Sequence, residues 1–197
     1  EAARDLGATV HAGSIIERAE DGKLYNTAVT LSSAGDVIGH YRKLHRFGFG
    51  QGEATALAAG SELVTVDLAG TRAGIATCYD LRFPELFRGL LDRGAELFVI
   101  SSAWPDKRIR HWRLLAQARA VESQGYVLAC NAAGAHAGVR LGGGSLVADP
   151  WGDILVEAAT DPETLTVEID PSQVATTRKG FPVLADRRPA ELFAPPA

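Results

Sequence analysis

The sequence predicts an α+β fold, a mixed β-sheet with helices on one face, in a single domain over residues 1–197. Three observations carry this expectation. Residues 72–134 alternate strand, helix, strand, helix and strand, the pattern of neighbouring strands linked by helical crossovers. Shorter strands joined by Asp-Gly and Gly-Asp turns flank this block, and such turns favour antiparallel hairpins. The chain has 197 residues, 46% hydrophobic and 22% charged, which is enough to bury the core of one ordinary globular domain.

Taken in order, the opening EAARDLG reads as the last turns of a helix ending near Gly7. A helix cut at its amino end, in a chain with no methionine, predicts a fragment of a longer protein. TVHAGSII (9–16), LYNTAVTLS (24–32) and VIGHYRK (37–43) read as an antiparallel meander, followed by a glycine-rich loop over 47–60. LVTVDL (63–68) and RAGIATC (72–78) flank Ala69-Gly70-Thr71 as a hairpin. PELFRGLLDRG is a helix: Pro84 suits its first position, Glu85 its positive amino end and Gly94 its stop. ELFVISSA (96–103) reads as a buried strand. Residues 109–125 form the second helix, with Ile109, Trp112, Leu115 or Ala116, and Ala120 at helical spacing. YVLACNAAG (126–134) is the next strand, and SLVADPWGDILVEA a hairpin around Pro150-Trp151-Gly152. TLTVEID (164–170) reads as a last strand, and the Pro- and Arg-rich tail beyond it as extended chain.

Composition removes several classes of function. A net charge of −4 with no polybasic run argues against nucleic-acid binding. The longest apolar runs, such as LFVI, are far too short to cross a bilayer, and the first ten residues lack a signal-peptide core. Two cysteines make no disulfide framework, so a reducing, cytoplasmic setting is expected.

The chemistry is expected at Cys78, where a buried strand ends just before a helix begins. Such a junction exposes a side chain, and nearby backbone N–H groups stabilise an anion. A free thiol has a pKa near ~8.5 and needs a neighbour to activate it. The bland alternative is a buried thiol acting as a small hydrophobe, and that reading is given to Cys130. A tyrosine-phosphatase loop would need arginine where Pro84 stands, and a papain-type site finds no support around His111, His136 or Asn131. The histidines have no metal-ligand spacing, so no metal is expected. Lys43, at the end of a strand before the glycine-rich loop, is the other candidate.

Together LYNTAVTLSSAGDVIGHYRKLH, GEATALAAG and GIATCYDLRFPELFRGLLDRGAELFVISSAW resemble the nitrilase superfamily of carbon–nitrogen hydrolases, and CYDLRFPE resembles its ω-amidase-like branch. HWRLLAQARAVESQGYVLACNAAG and VADPWGDIL extend the likeness over nearly the whole chain. The resemblance implies an α-β-β-α sandwich, here without its first strand and helix, leaving an apolar sheet edge uncovered. It implies hydrolysis of a small linear amide through a Cys thioester, without a cofactor. Cys78 matches the nucleophile, Lys43 the lysine that stabilises the tetrahedral intermediate, and Glu53 a second glutamate that orients that lysine. The Tyr79 N–H would be the other oxyanion donor. The family's general-base glutamate lies further upstream than this chain reaches; Glu1, Glu17 and Glu20 do not match it. Arg82 is expected either to meet a substrate carboxylate or to form a salt bridge within the elbow, and Trp104 to line the pocket or to pack in the core. Residues 105–108 depart from the glycine-containing loop of ω-amidases. Glu122 is expected to be structural. A homo-oligomer is implied by resemblance. The alternatives are an N-carbamoyl amine hydrolase and a truncated, non-catalytic interaction module.

Overall fold

The computed structural model describes residues 1–188 and Leu192. A short helix, α1 (Ala2–Leu6), ends on Gly7 in the left-handed conformation and leads into an antiparallel sheet. This sheet has three strands in the order β1 (Val10–Arg18), β2 (Leu24–Leu31) and β3 (Val37–Arg42). Among the described residues β1 pairs with β2 alone, and its Ile15 and Ile16 are 63% and 58% exposed. A loop and the short helix α2 (Glu53–Ala56) then lead to the second sheet.

The second sheet contains β4 (Thr65–Leu68), β5 (Thr71–Thr77), β6 (Leu97–Ser102), β7 (Tyr126–Asn131), β10 (Leu146–Ala148) and β11 (Ile154–Glu157). Its order is β11-β10-β7-β6-β5-β4. β5, β6 and β7 run parallel, while the flanking strands pair antiparallel, so the sheet is mixed as expected. Ala73 to Thr77 are all buried, as a central parallel strand covered on both faces requires.

The crossovers are α3 (Pro84–Asp92) and α4 (Ile109–Ser123). Leu86, Phe87, Leu90 and Leu91 of α3 and Trp112, Ala116 and Ala120 of α4 are buried. Gly74 admits α3 to the sheet, because a Cβ there would lie 2.8 Å from a Leu90 methyl. The opposite face of the sheet meets the three-stranded sheet, where a Cβ on Gly39 would lie 2.6 Å from Val66 Cγ1. The described residues therefore stack as helices, sheet and sheet.

Three expectations fail locally. Residues 164–170 form no strand: Leu165, Val167 and Ile169 alternate, but β11 offers them no ladder. Part of the expected extended tail is the helix α5 (Ser172–Gly180), bounded by Pro171 and ending on Gly180 with Arg178 and Lys179 in its last turn. Residues 189–191 and 193–197 of that tail lie outside the described residues. The strand expected over 126–134 ends at Asn131, and a small hairpin, β8 (Ala133–His136) and β9 (Val139–Gly142), follows where no hairpin was expected. No helix among the described residues is long and apolar enough to cross a membrane.

Candidate active site

The ends of β5, β6 and β7 open into a cavity of about 480 Å³ facing the three-stranded sheet. Cys78, Lys43, Glu53, Asn26, Cys130 and Asn131 contribute to its walls. Each arrives there for a local reason.

β5 stops at Thr77 and the chain turns at Cys78, whose φ is +50°. A non-glycine residue in this region costs on the order of 1–3 kcal/mol and persists when its surroundings fix it. The turn lifts the thiol out of the sheet, half-buried and unbonded to the other cysteine. Residues Cys78–Arg82 make a tight 3-10 turn before α3. The Tyr79 N–H belongs to its first turn, where backbone donors have no intrahelical acceptor.

Lys43 directly follows β3. Its N–H donates to the Asn26 carbonyl at 2.8 Å and its carbonyl accepts from Gly60 at 2.9 Å, which fixes the backbone on both sides. Its side chain is 2% exposed, and Nζ donates to Glu53 Oε2 at 2.6 Å. Glu53 Oε2 also accepts from the Phe47 N–H at 2.9 Å, and Oε1 from Asn26 Nδ2 at 2.6 Å. Burial alone would raise the Glu53 pKa. The Lys43 ammonium and the Phe47 and Asn26 donors outweigh it and hold the carboxyl below its ordinary range. Glu53 is therefore a carboxylate at neutral pH, held against Lys43 Nζ at the cavity wall.

Arg82 and Trp104 define a smaller adjoining pocket of about 70 Å³, which also touches Cys78, Tyr79 and Arg108. The Arg82 guanidinium lies 4.7 Å from the centre of the Trp104 ring, and its Nη2 is 3.2 Å from His111 Nδ1. The alternative of a salt bridge within the elbow is not realised: Arg82 has no carboxylate partner among the described residues, nor has Arg108. Trp104 packs 5.6 Å from Trp112 in the core and also borders this smaller pocket.

Cys130 corrects its expectation. It is exposed and lines the cavity instead of packing as a buried hydrophobe. The register Thr77↔Ser101↔Cys130 explains this, because residues aligned across a sheet share one face, here the face turned to the cavity. Glu17 does not line the cavity; it accepts from Arg42 at 2.7 and 3.0 Å and from Thr27 at 2.5 Å. Glu1 and Glu20 are exposed and do not line it either. Glu122 pairs with Arg119 at 2.8 Å and with Arg88 at 3.9 Å, away from the cavity.

Sequence reading missed Asn26 and Asp80, and it weighed Asn131 only as a papain-type partner. Asn26 orients Glu53. Asn131 accepts the Trp104 N–H at 2.6 Å and donates to the Gly143 carbonyl at 2.7 Å, holding the Trp104 loop. Asp80 is fully buried beside the elbow. The available signal was a polar side chain inside a run of apolar or β-branched neighbours, which burial makes costly unless it is bonded.

Residues 1–179 match the family model for carbon–nitrogen hydrolases. A 2-oxoglutaramate amidase from Paenarthrobacter nicotinovorans is 42% identical over 203 residues, covering 98% of this chain and 68% of that protein. A 2-oxoglutaramate amidase from Bacillus subtilis is 38% identical over 186 residues, covering 94% of this chain and 71% of its own. The crystal structure of a hydrolase of the superfamily from Xanthomonas campestris, with an arsenic adduct in its active site, has a TM-score of 0.89 at 31% identity, covering 95% of this chain and 72% of its own. With this fold, and with an elbow thiol and an ammonium–carboxylate pair on one cavity, the chain belongs to the carbon–nitrogen hydrolase family, within the nitrilase superfamily.

Proposed function

We propose that the protein is an ω-amidase-like enzyme that hydrolyses the C–N bond of a small linear amide through a thioester on Cys78, releasing ammonia. The observation that carries this reading is the shared cavity: the Cys78 thiol and the Lys43–Glu53 pair open onto the same space. Its volume of about 480 Å³ suits a ligand of metabolite size. The relatives named as 2-oxoglutaramate amidases favour the same class of substrate.

The sequence of events follows from charge. The Cys78 sulfur adds to the amide carbon, and the carbonyl electron pair moves onto oxygen. Lys43 Nζ and the Tyr79 N–H stabilise that oxyanion, and loss of one such donor costs about 10²–10³ in rate. The nitrogen takes up the proton lost by the thiol and collapse expels ammonia; water then adds to the thioester, and the acid leaves as a proton returns to the Cys78 sulfur. Glu53 is the one carboxylate among the described residues lining the cavity, and it is engaged with Lys43. It orients the lysine; deprotonating the thiol and the water needs a further general base that these residues do not supply. Arg82, beside Cys78 and without a carboxylate partner among the described residues, is the residue that would receive a carboxylate at the substrate's far end.

The test is mass spectrometry during ammonia release from 2-oxoglutaramate. An acyl adduct on Cys78, with turnover lost in Cys78→Ala and Lys43→Ala, is the expected result. Retained ammonia release in either variant refutes the mechanism. Carbon dioxide released with the ammonia from an N-carbamoyl amine, with 2-oxoglutaramate inert, would reassign the substrate class.

A further inference from the structure

We infer that Asp80 is a positioning residue that fixes the segment carrying Lys43 against the segment carrying Cys78; this rests on the roles proposed above for those two residues. Lys43 follows a strand of one sheet and Cys78 follows a strand of the other. Among the described residues no backbone ladder joins the two sheets, so side-chain contacts between them help to set their relative placement.

The Asp80 carboxylate bridges this gap. It is 0% exposed and accepts four hydrogen bonds. Oδ2 accepts from Tyr41 Oη at 2.7 Å and from the Thr77 N–H at 2.9 Å. Oδ1 accepts from the His45 N–H at 3.0 Å and from His45 Nδ1 at 2.8 Å, which makes Nδ1 the protonated ring nitrogen. The donors are thus two residues before Lys43, two residues after it, and the residue before Cys78. The Tyr41 hydroxyl oxygen in turn accepts the Leu44 N–H at 3.3 Å, and the His45 ring stacks 3.8 Å from Phe83 at the end of the elbow. A carboxylate this buried gains little stability over an apolar residue of the same size. What it gives is register, since four donors from two segments converge on one rigid group.

A double-mutant cycle on the addition of acrylamide to Cys78 tests this, with adducts counted by mass spectrometry of the full chain in a Cys130→Ser background. The Cys78 sulfur bonds to the β-carbon of acrylamide, the C=C electron pair moves onto the amide oxygen, where the position of Lys43 is felt, and the α-carbon then takes a proton from water, all without any turnover. Asp80→Asn is expected to slow the addition about 10-fold with Lys43 present and less than about 2-fold in a Lys43→Ala background. Tyr41→Phe, which removes one donor, should show the same dependence on Lys43 with an effect of about 3-fold, so the test stands even if Asp80→Asn does not fold. Leu90→Ala, a core change remote from the cavity, should leave the rate per folded molecule unchanged. Equal slowing in both backgrounds, or none, overturns the inference. If Lys43→Ala slows the addition and neither tie variant does, the inference falls alone; if Lys43→Ala has no effect, it falls together with the role proposed for the lysine.

Discussion

Replacing Glu53 by Gln isolates the charge that steadies Lys43. The amide keeps the length of the side chain and one oxygen for the Lys43 and Phe47 donors. Its NH2 then faces Asn26, whose Oδ1 has no partner among the described residues and can accept after a flip of the Asn26 amide. What disappears is the negative charge 2.6 Å from an ammonium that is only 2% exposed. Stranding a buried charge in this way costs about 3–5 kcal/mol, and the partial exposure of Glu53 places the expected loss near the lower end, about 3 kcal/mol. For a domain of this size that corresponds to a fall in Tm of roughly 6–12 °C. With Lys43 no longer held, kcat/KM should fall by about 10²-fold. Thermal unfolding by circular dichroism and ammonia release measure the two effects. The pH dependence has a definite sign. The folded-state pKa of Glu53 lies below its unfolded value, so its contribution is fully present above the unfolded value and is lost as the pH falls through the folded one. The gap in Tm between native protein and variant should therefore be widest at neutral pH and close under acid. A variant that melts with the native protein at pH 7 and keeps full turnover would refute the reasoning.

Glu17 is held down to about 2, chiefly by its hydrogen bond to Arg42, so its stabilisation is present above the ordinary carboxylate value and is lost as the pH falls toward 2. Glu17→Gln should thus destabilise at pH 7 and match the native chain near pH 2; a difference that persists there would contradict this. Gly39→Ala should cost about 1–3 kcal/mol in urea unfolding through its clash with Val66, and adding Val66→Ala should recover part of the loss. Additive losses would show that the two sheets are not pinched there. Leu90→Ala, at a fully buried position beneath Gly74, should cost about 2–5 kcal/mol by leaving a cavity, with a loss under 1 kcal/mol counting against the packing described.

What the sequence disclosed was local. The crossover helices were legible because Pro84 and the apolar spacing of both helices are written within one segment. Cys78 was legible because a buried strand ends there, and Lys43 and Glu53 because the motifs around them resemble a family. What stayed hidden depends on partners distant in the chain. Residues 164–170 alternate like a strand, yet strand identity needs a neighbouring edge. The hairpin over 133–142 lies among glycines and exposed residues, which give little hydrophobic pattern. The direction of Cys130 follows from the register of β6 with β7, and the importance of Asp80 from the meeting of two sheets, and neither is written in the flanking residues.

The alignment of Thr77 with Cys130 across two neighbouring strands has a practical outcome for thiol chemistry. Two strand spacings separate Thr77 from Cys130, roughly 10 Å, and Cys78 directly follows Thr77. The two thiols line one cavity and are not bonded to each other. An alkylating reagent that enters this cavity can therefore be consumed at Cys130 as well as at Cys78. Titrating total sulfhydryl loss will overcount inactivation, and peptide-level mapping is the appropriate measure of occupancy.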